Sequence, residues 1–501
     1  MPDNPLIDLS ALQKPLDQFR TKSKRPDIHP REILLIGAVA LHLIFLPWAL
    51  GAVRLWAQYI SFGLAVLGFL IALIPRDYTE EQTGQSAFRL YTWTKLVRFP
   101  VFWLGLALLA LVTLQGLNPA YRFTDTPDKT GWFMNPIAHL AWLPSGVEVP
   151  FERGGGPWRS LMVYASVWLL VCTAWIGFTR RRTLQIVFVI IAANGFALAG
   201  LGLAQRFLPS DKIFWSVASP GVFFSSFTYK NFAGGYLNLA LAVAGGLAAW
   251  FYYRGLRRME KSNPAGLFVF FATLIGISIL ISFARGATMM MLAFLAGAIS
   301  VFLYQQFFSK DAVRRPVIIV VLVLVFGFFL KTGLDAINSG EAWSRLSIGL
   351  EGRDGSIRSR AIATEAATDM LKQTWKLGAG AGSFRYLFPQ YQQHYPEIFT
   401  EGGARLFWNH AHNDLIEFPL ELGVPGMVLL LAIAAYWFVR LVRARFWLNP
   451  LTLCVVFGLL LTLVNCRWEF LLQCPAILLT WCLLWALVVR WTELEEANPR
   501  I

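Results

Sequence analysis

The chain has 501 residues, of which 56% are hydrophobic and only 15% charged, against the roughly 25% charge usual in soluble domains. Its net charge of +14 would point to nucleic acid in a soluble protein, but stretches 232–253, 267–283 and 316–330 contain no ionised residue. The first two reach the roughly 17–25 apolar residues that cross a bilayer and the third falls slightly short, so composition excludes a soluble nucleic-acid binder and gives an all-α polytopic membrane protein surrounded by lipid.

Residues 1–31 are polar and basic. They read as a cytoplasmic tail rather than a cleaved signal peptide, whose apolar region lies much nearer the start. Twelve membrane spans are predicted, at 33–50, 55–75, 100–117, 160–178, 184–206, 232–253, 266–283, 286–305, 316–330, 412–440, 450–466 and 470–489. The first nine fall within 32–330 and the last three within 412–489, and 490–501 is a C-terminal tail. Basic residues alternate between the connecting loops. Arg76, Arg89, Lys95 and Arg98 follow the second span, and Arg180, Arg181 and Arg182 the fourth. Arg254, Arg257, Arg258 and Lys261 follow the sixth, Lys310, Arg314 and Arg315 the eighth, and Arg440, Arg443 and Arg445 the tenth. Positive loops stay in the cytoplasm, which places both termini there. Cys172, Cys454, Cys466, Cys474 and Cys482 mostly sit inside spans, at spacings that suit neither a disulfide framework nor zinc, and are expected as small buried hydrophobes.

Three outward regions are too long for simple turns: 118–158, 208–230 and 331–411. In the third, 357–375 is rich in helix formers, and Ile362, Ala366 and Met370 recur every four residues, the pattern of an amphipathic helix. The GAGAG that follows, 378–382, lacks the Lys-Ser/Thr continuation of a phosphate loop and reads as close backbone packing. With no soluble catalytic domain, chemistry must take place at the outer membrane boundary.

Charge near hydrocarbon is costly and needs a reason. Arg285, in SFARGA, sits between two apolar runs, where it either snorkels to the interface or offers its planar fork to a phosphate. Arg345, Arg353, Arg358 and Arg360 form a basic cluster on a side otherwise poor in positive charge. Lys230 and Asn231, in FTYKNFAGG, begin the sixth span. The segment WNHAHNDLIEFPLELG, 408–423, admits three readings. His410 and His412 with Asp414 could hold a metal. Asn413 or Asp414 could cap a helix. A neutral His could take a proton from a sugar hydroxyl while arginines hold a leaving diphosphate. His410, Asp414, Glu417 and Glu421 fall near one helical face, and Pro419 and Pro425 argue against one straight helix.

Taken together, SSFTYKNFAGGYLNLAL (225–241), SFARGA (282–287), RAIATEAATDMLKQTWKLGAGAGSF (360–384) and HAHNDLIEFPLELGVPG (410–426) resemble the O-antigen ligase and polymerase superfamily, which includes bacterial O-oligosaccharyltransferases. The chain departs from the family pattern at Thr364, where a tryptophan is usual, and just before GAGAG. The resemblance implies a metal-independent, cofactor-free, inverting glycosyltransferase at the periplasmic face of a bacterial inner membrane. Its donor would be a glycan on undecaprenyl diphosphate. The acceptor would be a lipid A core sugar, a growing glycan or a protein hydroxyl. His412 takes the position of the family's catalytic histidine, and Arg285 and Arg360, with Arg358 as the near alternative, those of the diphosphate-gripping arginines. Lys230, Asn231, His410, Asn413 and Glu421 complete the candidate substrate-binding set. Two other functions compete. An inorganic-carbon transporter would need polar or broken helices at the midplane, where Asn194 stands nearly alone, and a non-catalytic envelope assembly protein would leave the Arg and His residues dispersed.

Overall fold

The computed structural model of the chain describes residues 28–78, 88–127, 131–208, 210–219, 221–259, 262–308, 355–399 and 407–496, with a few positions between 324 and 332. Most of the expected ninth span, 316–330, lies outside the described residues, as do Arg345 and Arg353. The bundle begins with α1 (Pro30–Trp48), α2 (Leu55–Leu73), the short α3 (Thr92–Val97) and α4 (Pro100–Leu117). It continues with α5 (Pro157–Gly177), α6 (Arg181–Phe207), α7 (Lys230–Arg258), α8 (Ala265–Ile281) and α9 (Arg285–Phe308). Helices α10 (Gly355–Thr374) and α11 (Phe384–Gln392) precede the closing α12 (Asp414–Arg443), α13 (Pro450–Asn465) and α14 (Pro475–Glu496). Proline opens five of these helices, at Pro30, Pro100, Pro157, Pro450 and Pro475, where its fixed φ suits the first turn and its missing N–H is not needed.

Among the described residues nine helices are long and apolar enough to cross a membrane, namely α1, α2, α4, α5, α6, α7, α9, α12 and α14; α8 and α13 are shorter apolar helices. The protein is an all-α polytopic membrane protein. Helix α7 is its axis and is buried over most of its length. Small residues let its neighbours approach. A Cβ on Gly195 would lie 2.2 Å from that of Ala240, one on Gly234 2.4 Å from that of Ala287, and one on Gly458 2.3 Å from that of Ala242. These contacts seat α6, α9 and α13 directly on α7, the close packing that substitutes for a hydrophobic driving force in lipid. Asn194 ties the core instead of lining a path. It donates to Leu43 O (3.2 Å) and Tyr236 Oη (3.1 Å) and accepts from Trp48 Nε1 (2.8 Å). All five cysteines are free, and Cys172, Cys466 and Cys474 are buried.

The 118–158 region is more than a loop. Strands β3 (Pro119–Asp125), β4 (Trp132–Pro136) and β5 (Gly146–Glu148) form a sheet in the order β4-β3-β5, antiparallel between β3 and β4 and parallel between β3 and β5. Two-stranded ribbons occur at β1 (Arg76–Tyr78) with β2 (Phe88–Leu90), and at β6 (Lys212–Ile213) with β7 (Val217–Ala218). The amphipathic pattern of 357–375 yields α10, whose Ala366 and Met370 are fully buried and whose Ile362 is half-buried. That face meets Phe123 and Val147 of the sheet and Phe384 and Phe388 of α11 in a second core outside the main bundle. Its apolar stripe therefore packs on protein.

Helix α12 is broken, as Pro419 and Pro425 lead one to expect, and the break sits at Gly423 (φ 63°, ψ −171°). Pro425 has no N–H for the Glu421 carbonyl, and the chain at Gly423 turns Val424 N away from Leu420 O. Each orphan group finds a partner, as buried backbone must. Ala379 N bonds Leu420 O (2.8 Å), Gly380 N bonds Glu421 O (2.9 Å), and Val424 N bonds Trp375 O (2.9 Å). Gln115 of α4 adds its Nε2 to Glu421 O at 2.9 Å. GAGAG thus docks edge-on against the broken helix. A Cβ on Gly378, whose φ is +83°, would meet Glu421 O at 2.3 Å. Gly378→Ala is expected to destabilise by about 2–4 kcal/mol, read as a lowered thermal midpoint in detergent. Gly37→Ala, with nothing within 4 Å of the new Cβ, should leave that midpoint unchanged.

Candidate active site

The starts of α7, α9 and α12 and the end of α13 meet at one end of the bundle, roofed by α10. Glu469, in the turn that follows α13, is the hub. It is 5% exposed. Its Oε1 accepts from Arg360 Nη1 (2.6 Å) and Asn231 Nδ2 (2.6 Å), and its Oε2 from Tyr229 Oη (3.2 Å). Arg360 Nη2 also donates to Tyr229 Oη (3.2 Å), and so does Asn231 Nδ2 (2.7 Å). Three side chains from two separate parts of the chain are thereby fixed to one carboxylate. Burial works against the charges on Glu469 and Arg360, but their mutual attraction outweighs it. Glu469, beside His412 and Arg360, is held below the usual carboxylate range, and Arg360 above the ordinary arginine value.

His412 approaches the same carboxylate, with Nδ1 3.9 Å from Glu469 Oε2, beyond hydrogen-bond length. Its ring stands edge-on to Phe470 (4.6 Å between centroids) and Trp408 (5.5 Å). Its backbone is left-handed, φ +52°, a conformation that costs a non-glycine residue about 1–2 kcal/mol and tends to mark functional positions. Burial pushes the imidazole pKa below 6.5. Glu469 opposes that shift and Arg360 adds to it. The ring is therefore neutral at pH 7 and able to accept a proton.

His410 is used differently. Arg385 Nη2 reaches its Nε2 at 3.3 Å, and Glu417 Oε1 lies 2.7 Å from its Nδ1. A guanidinium can only donate, so Nε2 is the acceptor and Nδ1 carries the proton given to Glu417. Burial and the charge of Arg385 hold His410 well below the ordinary histidine pKa. Its ring stacks on Phe470 at 4.8 Å, so Phe470 touches both histidines. With both nitrogens of His410 engaged, it supports the turn. Glu417 also accepts Ala411 N (2.7 Å).

The capping expectation for 413–414 needs correction. Asn413 stands at the N-cap of α12, but its side chain makes no capping bond. Both of its polar side-chain atoms are buried without a partner, and only its carbonyl serves the first turn, accepting from Ile416 N and Glu417 N. Asp414 instead clamps the Glu469 turn. Its N donates to Cys466 O (2.9 Å) and its Oδ2 accepts from Leu472 N (2.8 Å). Glu421 takes Gly382 N (2.8 Å) and Phe384 N (3.1 Å) on its two oxygens, which commits it to the GAGAG loop.

Of the two candidate loop arginines, Arg360 joins the cluster while Arg358 is exposed on α10. Arg285 is half-buried at the start of α9. Its neighbour Gly286 packs on Asn465, with 2.6 Å between the position of an added Cβ and Asn465 Oδ1, and Asn465 lies four residues before Glu469. Lys230 Nζ donates to Phe283 O (3.1 Å), which joins the start of α7 to the turn that carries Arg285. The sequence reading missed Glu469 and Tyr229. The available signal was a carboxylate in the few residues between two apolar runs, where charge needs a partner.

Residues 268–431 match the family model described as O-antigen ligase (Wzy_C). The match runs from α8 into α12, taking in Arg285, Arg360, His410 and His412, and ends before Glu469. No curated protein gives a significant match.

Proposed function

We propose that the chain, whose residues 268–431 match the O-antigen ligase family model, is a metal-independent, inverting glycosyltransferase. It moves a glycan from undecaprenyl diphosphate to an acceptor hydroxyl at the periplasmic face of a bacterial inner membrane. The observation that carries this reading is the meeting of Arg360 and His412 at Glu469, where a permanent cation and a neutral imidazole share one half-buried site. His412 accepts the proton of the acceptor hydroxyl. The acceptor oxygen bonds to the anomeric carbon as the bond to the diphosphate oxygen breaks, with inversion. The diphosphate departs with the electron pair, and Arg360 and Arg285 hold its charge. Glu469 orients His412 through Nδ1, leaving Nε2 to act as base. Lys230 and Asn231 line the donor side, and His410 and Asn413 hold the shape of the turn.

Arg180, Arg181, Arg182, Arg254, Arg257, Arg258, Arg440, Arg443 and Arg445 lie at the opposite helix ends. That distribution supports a cytoplasmic placement for those ends, and with it a periplasmic segment over 331–411. Ligation to a lipid A core sugar, polymerisation and protein glycosylation share this chemistry and differ only in the acceptor. A transport role is less well supported, because Asn194 in the bundle interior is tied to its neighbours.

The test is transfer by the purified chain from an undecaprenyl-diphosphate glycan with EDTA present. Full activity with chelator, together with an increase in donor KM of about tenfold in Arg285→Gln, is the expected result. Loss of transfer on chelation overturns the metal-free mechanism, and an unchanged donor KM removes Arg285 from the donor site.

A further inference from the structure

The end of the bundle away from His412 holds a second concentration of buried charge, which glycan transfer does not use. Glu32, in the first turn of α1, is fully buried. It accepts from Tyr78 Oη (3.1 Å), Thr179 N (3.0 Å), Thr179 Oγ1 (2.7 Å) and Thr183 Oγ1 (2.7 Å). Neutral donors thus satisfy its oxygens. Arg76 Nη1 stands off at 3.9 Å and donates instead to Gly177 O at 2.7 Å. Arg76 is 0% exposed, yet its Nε and Nη2 have no hydrogen-bond partner among the described residues.

Arg490 of α14 donates to the next carbonyl along, Phe178 O (3.4 Å). Arg490 also lies over the Trp175 ring at 5.2 Å, and its Nε is buried without a partner. Its remaining contact is Glu493, which Arg440 shares. Lys95, on α3, faces the same group. Burial first, then the charges of Arg490 and Arg76, drive its pKa well below the usual 10.5, against the pull of Glu32.

Among the described residues, buried Arg76, largely buried Arg490 and the nearby Lys95, with the partly exposed Arg440 at the edge, therefore share two carboxylates, Glu32 and Glu493. An excess of buried positive charge is unfavourable unless an anion joins it. Guanidinium N–H groups without partners are donors suited to phosphate oxygens. Exposed Tyr91, Trp93 and Trp103 lie around α3 and the start of α4, near Lys95 in the chain, and are residue types that settle at the membrane–water interface. We infer that Arg76, Lys95 and Arg490 together form a phosphate-binding site, filled either by the headgroup of an anionic phospholipid in that leaflet or by free phosphate.

The experiment uses the full-length chain in uncharged detergent, titrated separately with short-chain phosphatidylglycerol, inorganic phosphate and an uncharged diacylglycerol of the same chain length. Thermal midpoint and tryptophan emission are read for the parent, Arg76→Gln and Lys95→Gln. A saturable rise in midpoint with phosphatidylglycerol alone assigns the site to lipid, and the same rise with phosphate assigns it to the free anion. In either case Lys95→Gln should weaken apparent affinity about tenfold. Lys95 is not fully enclosed, so this variant keeps the test open if Arg76→Gln fails to fold. An equal response to diacylglycerol, no response to any ligand, or an unaltered affinity in Lys95→Gln overturns the inference.

Discussion

Replacing His412 by alanine is expected to lower glycan transfer by about 10²–10⁴-fold, some 2.7–5.5 kcal/mol of barrier, with the donor still bound. The residue has few structural partners to lose. Its ring touches Phe470 and Trp408 by their edges, and its Nδ1 makes no hydrogen bond. What an alanine inherits is the left-handed backbone at φ +52°, so a thermal midpoint a few degrees lower is expected from strain alone. His412→Asn separates the two effects, because asparagine tolerates that backbone conformation and has no titratable base. The asparagine variant should therefore keep the parent's midpoint and lose the same activity. Turnover near the parent's rate in either variant would remove His412 from the role of base.

The parts of this molecule that follow one-dimensional rules are legible in its sequence. The charge-free stretches 232–253 and 267–283 become α7 and α8, the chain breaks within α12 between Pro419 and Pro425, and the four-residue spacing of Ile362, Ala366 and Met370 becomes the inward face of α10. The small sheet was hidden because its strands are three to seven residues long, and part of its pairing joins β3 to β5, well separated along the chain. The site was half legible for the same reason. The residues of WNHAHND and SFARGA declare themselves by rarity. Glu469, which His412 and Arg360 share, lies 57 positions beyond the first and 109 beyond the second, a convergence that only folding produces. Roles within the motif also depended on folding. His410 and His412 are two residues apart, yet Arg385 and Glu417 consume the first while the second faces Arg360 and Glu469.

The pH dependence of kcat/KM tests whether that sharing of Glu469 matters, and the two partners of His412 should move it in opposite directions. A base must be neutral to act, so activity falls as pH drops through the His412 pKa. Burial lowers that pKa, and the acid limb of the parent belongs below 6.5, as read on the free enzyme. The Glu469 carboxylate raises the His412 pKa, so Glu469→Gln should carry the limb to still lower pH. Arg360 lowers it, so Arg360→Gln should carry the limb upward, helped by a carboxylate released from its guanidinium partner. A displacement of about one unit corresponds to about 1.4 kcal/mol of altered interaction. The magnitudes of activity loss should also differ in kind. Glu469→Gln leaves the imidazole without its orienting charge and should reduce kcat on the order of 10²-fold, whereas Arg360→Gln should act on donor KM as well. Glu469→Asp keeps the charge on a shorter arm and should return the limb toward the parent's while recovering only part of kcat. A purely structural role for Glu469 would lower stability and rate in all three variants and leave the limb in place, and that result would dissolve the proposed pairing with His412.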